Sequence, residues 1–382
     1  MSIKMSMDGF FQSERMMAIV ERDLRKFFRS PALMMAAMVF PLVQLIVLGN
    51  AFGGKIRDAK LGIVDHDNGP QAIRIVEALR AVESNARTFQ PIVYTDEKLM
   101  VGDVRKGDLN AGLVIPPQFS RDVYAQARPK IGLVLDNTDN FMTSTFEGTL
   151  TDLVAALNQP EVQPRVVQQI ALQVVELYPY IEYMKYLLPG SIALAMFVSV
   201  MIGGGIVYID DKARGVHEGY LVTPITKMEL VAGLNVAGAL KAMGAGIVLT
   251  VIGSLIAGVG STFQPANLFW LLLLIATTSF AFISMMFLMM VRVSDPLVPR
   301  AIFGILNTLL YFPSGAIYPV QAFPKWLQWI AWIDPFSYSV HGFKAVLLKG
   351  VGLAAIWPDL LYLGVFAFVM FALSTLLFKR TL

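Results

Sequence analysis

Six stretches of the chain are apolar for roughly the 20 residues of helix needed to cross a hydrocarbon layer about 30 Å thick. They are 32–52, 189–209, 243–260 with a polar-tolerant extension from near Met228, 267–291, 301–318 interrupted by Pro313, and 360–378. Each predicts a transmembrane helix, and only Lys241 sets a charge near them. Between the first two runs the pattern changes. Short β-like runs at 60–64, 88–94, 111–115 and 131–135 alternate with helical ones at 71–81, 96–106 and 117–127, before a long helical stretch over 141–176. That alternation predicts a small α/β layer inserted into the membrane chain. The run Ile115-Pro-Pro reads as a buried strand whose prolines start the next helix, because proline is tolerated in a first turn. The stretch 141–186 leads directly into the second span and predicts a stiff helical stalk.

Composition sharpens this picture. Of 382 residues 55% are hydrophobic and 15% charged, and the mean hydropathy is +0.59, as expected for an integral membrane protein. The 31 Lys and Arg against 28 Asp and Glu leave a net charge of +3, too slight and scattered for nucleic-acid binding. Without cysteine, and with only His66, His217 and His341, the chain has no disulfide framework and no Cys/His metal cluster. No cofactor is expected on this chain.

Charge also orients the spans. Thirteen basic residues fall on one side if both termini are cytoplasmic: Lys4, Arg15, Arg22, Arg25, Lys26, Arg29, Lys212, Arg214, Lys227, Arg292, Arg300, Lys379 and Arg380. The opposite short loops hold Lys325, Lys344 and Lys349. The excess of cations predicts cytoplasmic termini and an extracytoplasmic 53–186 segment. That segment carries 14 basic and 17 acidic residues, whereas the rest of the chain carries 17 and 11. The apolar run after residue 31 is too long for a signal-peptide core, so it is expected to remain as an anchor. The expected organisation is 1–31 as a cytoplasmic N-terminus, 32–52 as the first span, 53–186 as the outer domain, and 187–382 as the remaining five spans.

Several segments carry candidate chemistry. Within 14–29, Met17, Val20, Leu24, Phe27 and Phe28 share one helical face and Arg22, Arg25, Lys26 and Arg29 another. This predicts a basic amphipathic helix in the headgroup plane, its cations toward anionic lipid. In the polar loop 210–229, Thr223-Pro224 can open a helix and Thr226 has capping-box spacing to Glu229, which predicts a short helix, a break and a new helix. Lys241 has two readings, a buried cation facing a translocation path or a lysine snorkelling to the cytoplasmic boundary; the second is the expectation. The Asp65-His-Asp-Asn-Gly and Asp136-Asn-Thr-Asp-Asn runs lack EF-hand spacing and read as turns. Pro313, Gly315, Pro319 and Pro324 break helix at membrane depth, which predicts a re-entrant or interfacial segment over 313–335. Trp326, Trp329 and Trp332 are expected to anchor it at the membrane boundary. Glycines at 49, 53, 54, 203–205, 233, 238, 244 and 246 permit close helix packing.

The run Arg214-Gly-Val-His-Glu-Gly-Tyr-Leu-Val-Thr-Pro resembles the coupling loop of type-2 ATP-binding-cassette (ABC-2) permeases, Glu-Lys-Gly-Thr-x-Glu-x-Leu-x-x-Thr-Pro. Gly215, Glu218, Leu221, Thr223 and Pro224 match, with Arg214 as the preceding charge. Phe312-Pro-Ser-Gly-Ala-Ile-Tyr-Pro with Pro335-Phe-Ser-Tyr resembles the family's motif between its last two spans. Asp65, Asp67 and Ile115-Pro-Pro-Gln-Phe-Ser resemble the outer domain of members with a large insertion after span 1.

The resemblance implies a permease subunit in the bacterial inner membrane. A separate cytoplasmic ABC ATPase, binding ATP-Mg, would dock on 210–229 and on the 14–29 helix. It also implies a second permease subunit, identical or related, and alternating opening of a cavity between the two. A periplasmic adaptor is a further possible partner. No Gly-x-x-x-x-Gly-Lys-[Ser/Thr] phosphate loop occurs, so ATP hydrolysis is not expected on this chain. The expected function is export of a hydrophobic or amphipathic compound, drug-like or lipid. The alternative is a non-transporting receptor or assembly platform. A secondary transporter is disfavoured because paired acidic residues are missing from the expected spans, and a membrane hydrolase because no nucleophile–base–acid set appears.

Overall fold

The computed structural model describes residues 12–53, 59–86, 88–135, 140–157, 181–221, 223–293, 295 and 297–378. The chain divides into two compact units, Met1–Gly53 with Glu176–Leu382, and Gly54–Val175. The first opens with helices α1 (Ser13–Phe28) and α2 (Pro31–Gly53).

The second unit runs β1 (Ala59–Asp65), α3 (Pro70–Ala86), β2 (Phe89–Tyr94), α4 (Glu97–Lys106), β3 (Ala111–Ile115), α5 (Phe119–Tyr124), β4 (Gly132–Leu135) and α6 (Asn140–Leu157). Its sheet has the order β2-β1-β3-β4, with β1 parallel to β2 and β3, and β4 antiparallel to β3. Alternation along β1 builds two cores. Leu61 and Ile63 pack with Ile75, Leu79, Phe119, Phe146 and Leu150 on one side, and Val64 packs with Met100 and Val104 on the other. Phe89 of β2 stacks on Phe146 of α6 with ring centroids 4.7 Å apart.

Gly62 and Gly112 are register partners, and Met100 lies across both. A Cβ at Gly62 would stand 2.7 Å from Met100 Cγ and 2.8 Å from Leu109 Cδ1. Gly62→Ala is therefore expected to cost about 1–3 kcal/mol by overpacking. Limited proteolysis of the full chain in detergent should show faster cleavage within 54–175, with the remaining helices unaffected.

The prolines after β3 do not start α5. Pro117 and Gln118 form a turn, Gln118 takes a left-handed conformation (φ 63°), and the helix opens only at Phe119. Asp67 explains the late start, because its Oδ2 accepts the Ser120 amide at 2.9 Å and the Ser120 hydroxyl at 2.5 Å. The Ser120 hydroxyl bond also holds the Asp67 carboxyl below its ordinary range. Asp65 Oδ1 accepts the amides of Asp67 and Asn68, a turn-forming role. Residues 136–139 and 158–180 lie outside the described residues, and with them all but the last residue of the second Asp/Asn run and half of the expected stalk.

The first unit resumes with α7 (Tyr183–Val200), a π-helical segment Met201–Ile206, α8 (Val207–Ala213), α9 (Val216–Leu221) and α10 (Lys227–Ala257). Then follow α11 (Pro265–Met290), α12 (Leu297–Leu306) with a π-helical end Asn307–Tyr311, α13 (Lys325–Ile333), α14 (Pro335–Lys349) and α15 (Leu353–Leu377). Among the described residues five helices are long and apolar enough to cross a membrane: Pro31–Ala51, Tyr183–Ala213, Lys227–Ala257, Pro265–Met290 and Leu353–Leu377. The run 301–318 does not make a sixth of that length. Its apolar helix is the shorter Leu297–Tyr311, and the backbone leaves helical form before Gly315, which has φ 84°. The final span starts at Leu353 rather than 360, and so takes in Pro358 and Asp359.

α7 is buried continuously from Leu187 to Val200 and forms the centre of this unit. Its side chains enter gaps left by glycines of its neighbours. Cβ atoms at Gly49 of α2 and at Gly246 and Gly253 of α10 would lie 2.9, 2.9 and 2.5 Å from Met184, Met196 and Leu188. Close packing through small residues is the usual source of helix association where both states sit in lipid. A Cβ at Gly244, in contrast, would meet no atom within 4 Å, so that glycine serves no close contact here.

Candidate functional site

The segment after α8 folds as a turn, a short helix and a second turn. Gly215 has φ 73°, a left-handed conformation that favours glycine, and it swings the chain into α9. Arg214 beside it is exposed. Glu218 and Leu221 lie on α9, and their side chains are outside the described residues. Thr223 and Pro224 form the second turn, with Thr223 Oγ1 donating to Tyr220 O at 2.7 Å. They do not open the next helix. Thr226 does so, and its capping box with Glu229 is complete, the Glu229 carboxylate accepting the Thr226 amide at 2.7 Å.

α1 braces this segment. Gln12 N donates to Glu229 Oε1 at 2.6 Å, Arg15 Nη1 to Pro224 O at 2.6 Å, and Arg22 Nη1 to the Tyr220 hydroxyl at 2.5 Å. Burial pushes the Tyr220 hydroxyl above its ordinary pKa. Arg22 also bonds Asp211 at 3.2 Å, and Lys26 pairs with the same carboxylate. Between α1 and the loop lies a groove of about 430 Å³ walled by Arg15, Ile19, Arg22, Tyr220 and Pro224.

This arrangement corrects the expected orientation of α1. Its buried face is Ile19, Val20, Asp23 and Phe27, while Met17 and Phe28 are exposed. Of the four cations expected to face lipid, Arg22 and Lys26 are turned to Asp211; Arg25 pairs with Glu21 at 2.5 Å, and Arg29 is exposed. The helix presents a side to protein because Asp23 is neutralised there.

Lys241 does not snorkel. It is buried, with Nζ 2.5 Å from Asp23 Oδ2 and 2.7 Å from Gly203 O. Sequence reasoning missed Asp23, Asp211 and Tyr220. Asp23 had a visible signal, since it interrupts an apolar face at the 19/20/23/27 helical spacing; the other two had none.

A second cluster lies at the other end of α7. Gly315 O accepts Lys344 Nζ at 2.5 Å and Tyr186 Oη at 3.4 Å, and Ile317 O accepts Tyr183 Oη at 3.0 Å. These bonds satisfy carbonyls released where the helix breaks. Pro319 precedes the short 3-10 turn Val320–Ala322, and Pro324 precedes α13. Trp326, Trp329 and Trp332 stand exposed on α13. Asp359 bonds His341 Nδ1 at 2.8 Å, a polar pair that a span starting at 360 concealed. Among the described residues no group of three or more Asp, Glu or His side chains converges as a metal site.

Comparison with known proteins finds relatives over nearly the whole chain. Over 91% of its length the chain is 22% identical to the Probable multidrug ABC transporter permease YbhR of Escherichia coli K12, of which it covers 93%. It is 25% identical to the Inner membrane transport permease YhhJ of the same organism, over 94% of this chain and 96% of that one. The Probable multidrug ABC transporter permease YbhS, again from that organism, is 22% identical over 96% and 97%. The profile described as ABC-2 family transporter protein matches residues 31–376, nearly the whole chain, and the protein therefore belongs to the ABC-2 family of transporter permeases.

Proposed function

We infer that this chain is the membrane subunit of an ATP-driven exporter for a hydrophobic or amphipathic compound. A separate cytoplasmic ATPase, carrying ATP-Mg, docks on 214–224 and on the flank of α1. The observation that carries this reading is the bracing of the loop by α1 through Arg15 and Arg22, beside the bond from Gln12 to Glu229 at the start of α10. A loop held at several points to helices that continue into the spans transmits a push, whereas a free loop absorbs it. The cation excess favours cytoplasmic termini and an extracytoplasmic α/β unit. The exposed apolar faces of α2 and α15 leave room for lipid and for a second permease subunit. Two of the relatives are named for multidrug transport, which favours a drug-like cargo. A periplasmic adaptor remains a candidate partner of the outer unit.

Co-expression and co-purification with a candidate ABC ATPase subunit, followed by ATPase assay in nanodiscs, tests the reading. Gly215→Val forces a β-branched side chain into a left-handed position, a strain of roughly 1–2 kcal/mol. It is expected to lower ATPase stimulation about tenfold while membrane insertion is unchanged. Wild-type stimulation in Gly215→Val and Glu218→Lys would remove the docking assignment. A wild-type chain that binds no ATPase would instead point to a receptor or assembly platform.

A further inference from the structure

The contact of Lys241 with Asp23 and Gly203 joins three segments remote in sequence: α1, α10 and the π-helical segment of the α7–α8 helix. Both charged side chains are removed from solvent, 1% exposed for Lys241 and 8% for Asp23, and the ammonium also lies 5.6 Å from the Phe27 ring centre. Gly203, Gly204 and Gly205 supply half of the Met201–Ile206 segment. π-helical turns are places where a helix changes register, and glycine lowers the steric cost of doing so.

An ion pair this deep is a poor device for stability alone. Desolvating two charges consumes most of what their attraction returns, and apolar residues of similar volume do as well or better. What the pair supplies is geometry, because two short charge-assisted bonds fix one helix against a chosen carbonyl. Next to Asp23 the same helix α1 holds the 214–224 loop through Arg15 and Arg22. We propose that Asp23–Lys241–Gly203 is the joint through which displacement of α1 and its loop reaches the π-helical segment of the second span. The proposal rests on the reading of the loop as an ATPase-docking element. Asp23 and Lys241 are positioning residues here, acting through α1 and the helix rather than on cargo.

The test compares wild type, Asp23→Asn and the apolar pair Asp23→Leu/Lys241→Met in nanodiscs with the ATPase subunit. Deuterium uptake of 201–206 is read with and without a non-hydrolysable ATP analogue, alongside thermal stability. The apolar pair is expected to melt near wild type yet lose at least about fivefold of the nucleotide-dependent change in uptake, the lower range of ordinary site-to-site coupling. A purely structural role predicts an unchanged nucleotide response, and that result overturns the joint. If the apolar pair does not fold, Asp23→Asn carries the same readout. Should the wild-type chain bind no ATPase, the functional reading fails first. The joint is then judged on the chain alone, where unchanged uptake at 201–206 in Asp23→Asn overturns it and raised uptake supports it.

Discussion

Phe336→Ala is expected to lower the stability of the membrane unit by about 2–3 kcal/mol, with loss of folded protein on detergent size exclusion after mild heating. Phe336 is fully buried at the start of α14. Its ring lies 5.6 Å from Phe197 of α7, 5.1 Å from Phe282 of α11 and 5.6 Å from Tyr311 at the end of α12. In a water-soluble core the substitution would lose both the transfer energy of the ring and the packing around the hole. Between spans the transfer part is small, because lipid is as apolar as the protein interior. The packing part remains: roughly 100 Å³ of cavity at about 24 cal/mol per Å³ gives the figure quoted. Phe336→Leu, which fills most of that volume, should recover more than half of the loss. An alanine variant as stable as wild type would mean that these four helices are held by something other than the aromatic cluster.

How much of this was readable in the chain depends on the range of the interaction concerned. Lipid demands long uncharged runs, so four of the long helices could be placed to within a few residues at most of their ends, and α15 was found but started late. A short unbroken apolar run likewise set 111–115 as a buried strand with its bounds unchanged. Hydropathy misled where one local break outweighed it. The run 301–318 is apolar enough to span, but Pro313 and a left-handed Gly315 end the helix early. Lys241 was misread because its partner lies 218 residues away, and no local pattern reports a contact of that range. The face of α1 was misjudged for the same reason. Counting Asp23 as polar turns it outward, whereas the lysine that neutralises it lies on α10. The loop at 214–224 was recognised from resemblance, but its bracing by Arg15 and Arg22 depends on how α1 folds back against α10. Gly233 marks that approach, since a Cβ there would lie 3.0 Å from Ile19 Cβ.

Gly190→Leu is expected to have the larger effect of the two, because it strikes backbone rather than a deformable side chain. A Cβ at Gly190 would stand 2.6 Å from Ala316 Cβ and 3.0 Å from Ala316 Cα. Ala316 belongs to the helix break, whose carbonyls at Gly315 and Ile317 are held by Lys344, Tyr186 and Tyr183. Gly190→Ala alone should cost about 1–3 kcal/mol by overpacking, and leucine should exceed that range by lifting the whole 313–319 segment off α7. Displacement would strip Lys344 of its carbonyl partner and leave an ammonium in an apolar surrounding, a further penalty that packing alone does not include. The two contributions separate experimentally. Ala316→Gly removes the closest atom and should rescue Gly190→Ala in part; Lys344→Met in the leucine background should relieve the stranded charge without restoring the packing. Thermal unfolding of the purified chain in one detergent reads both. If Gly190→Leu unfolds at the wild-type temperature, the break does not pack on α7 as the structure has it, and its role as a fixed element at that end of the helix falls with it.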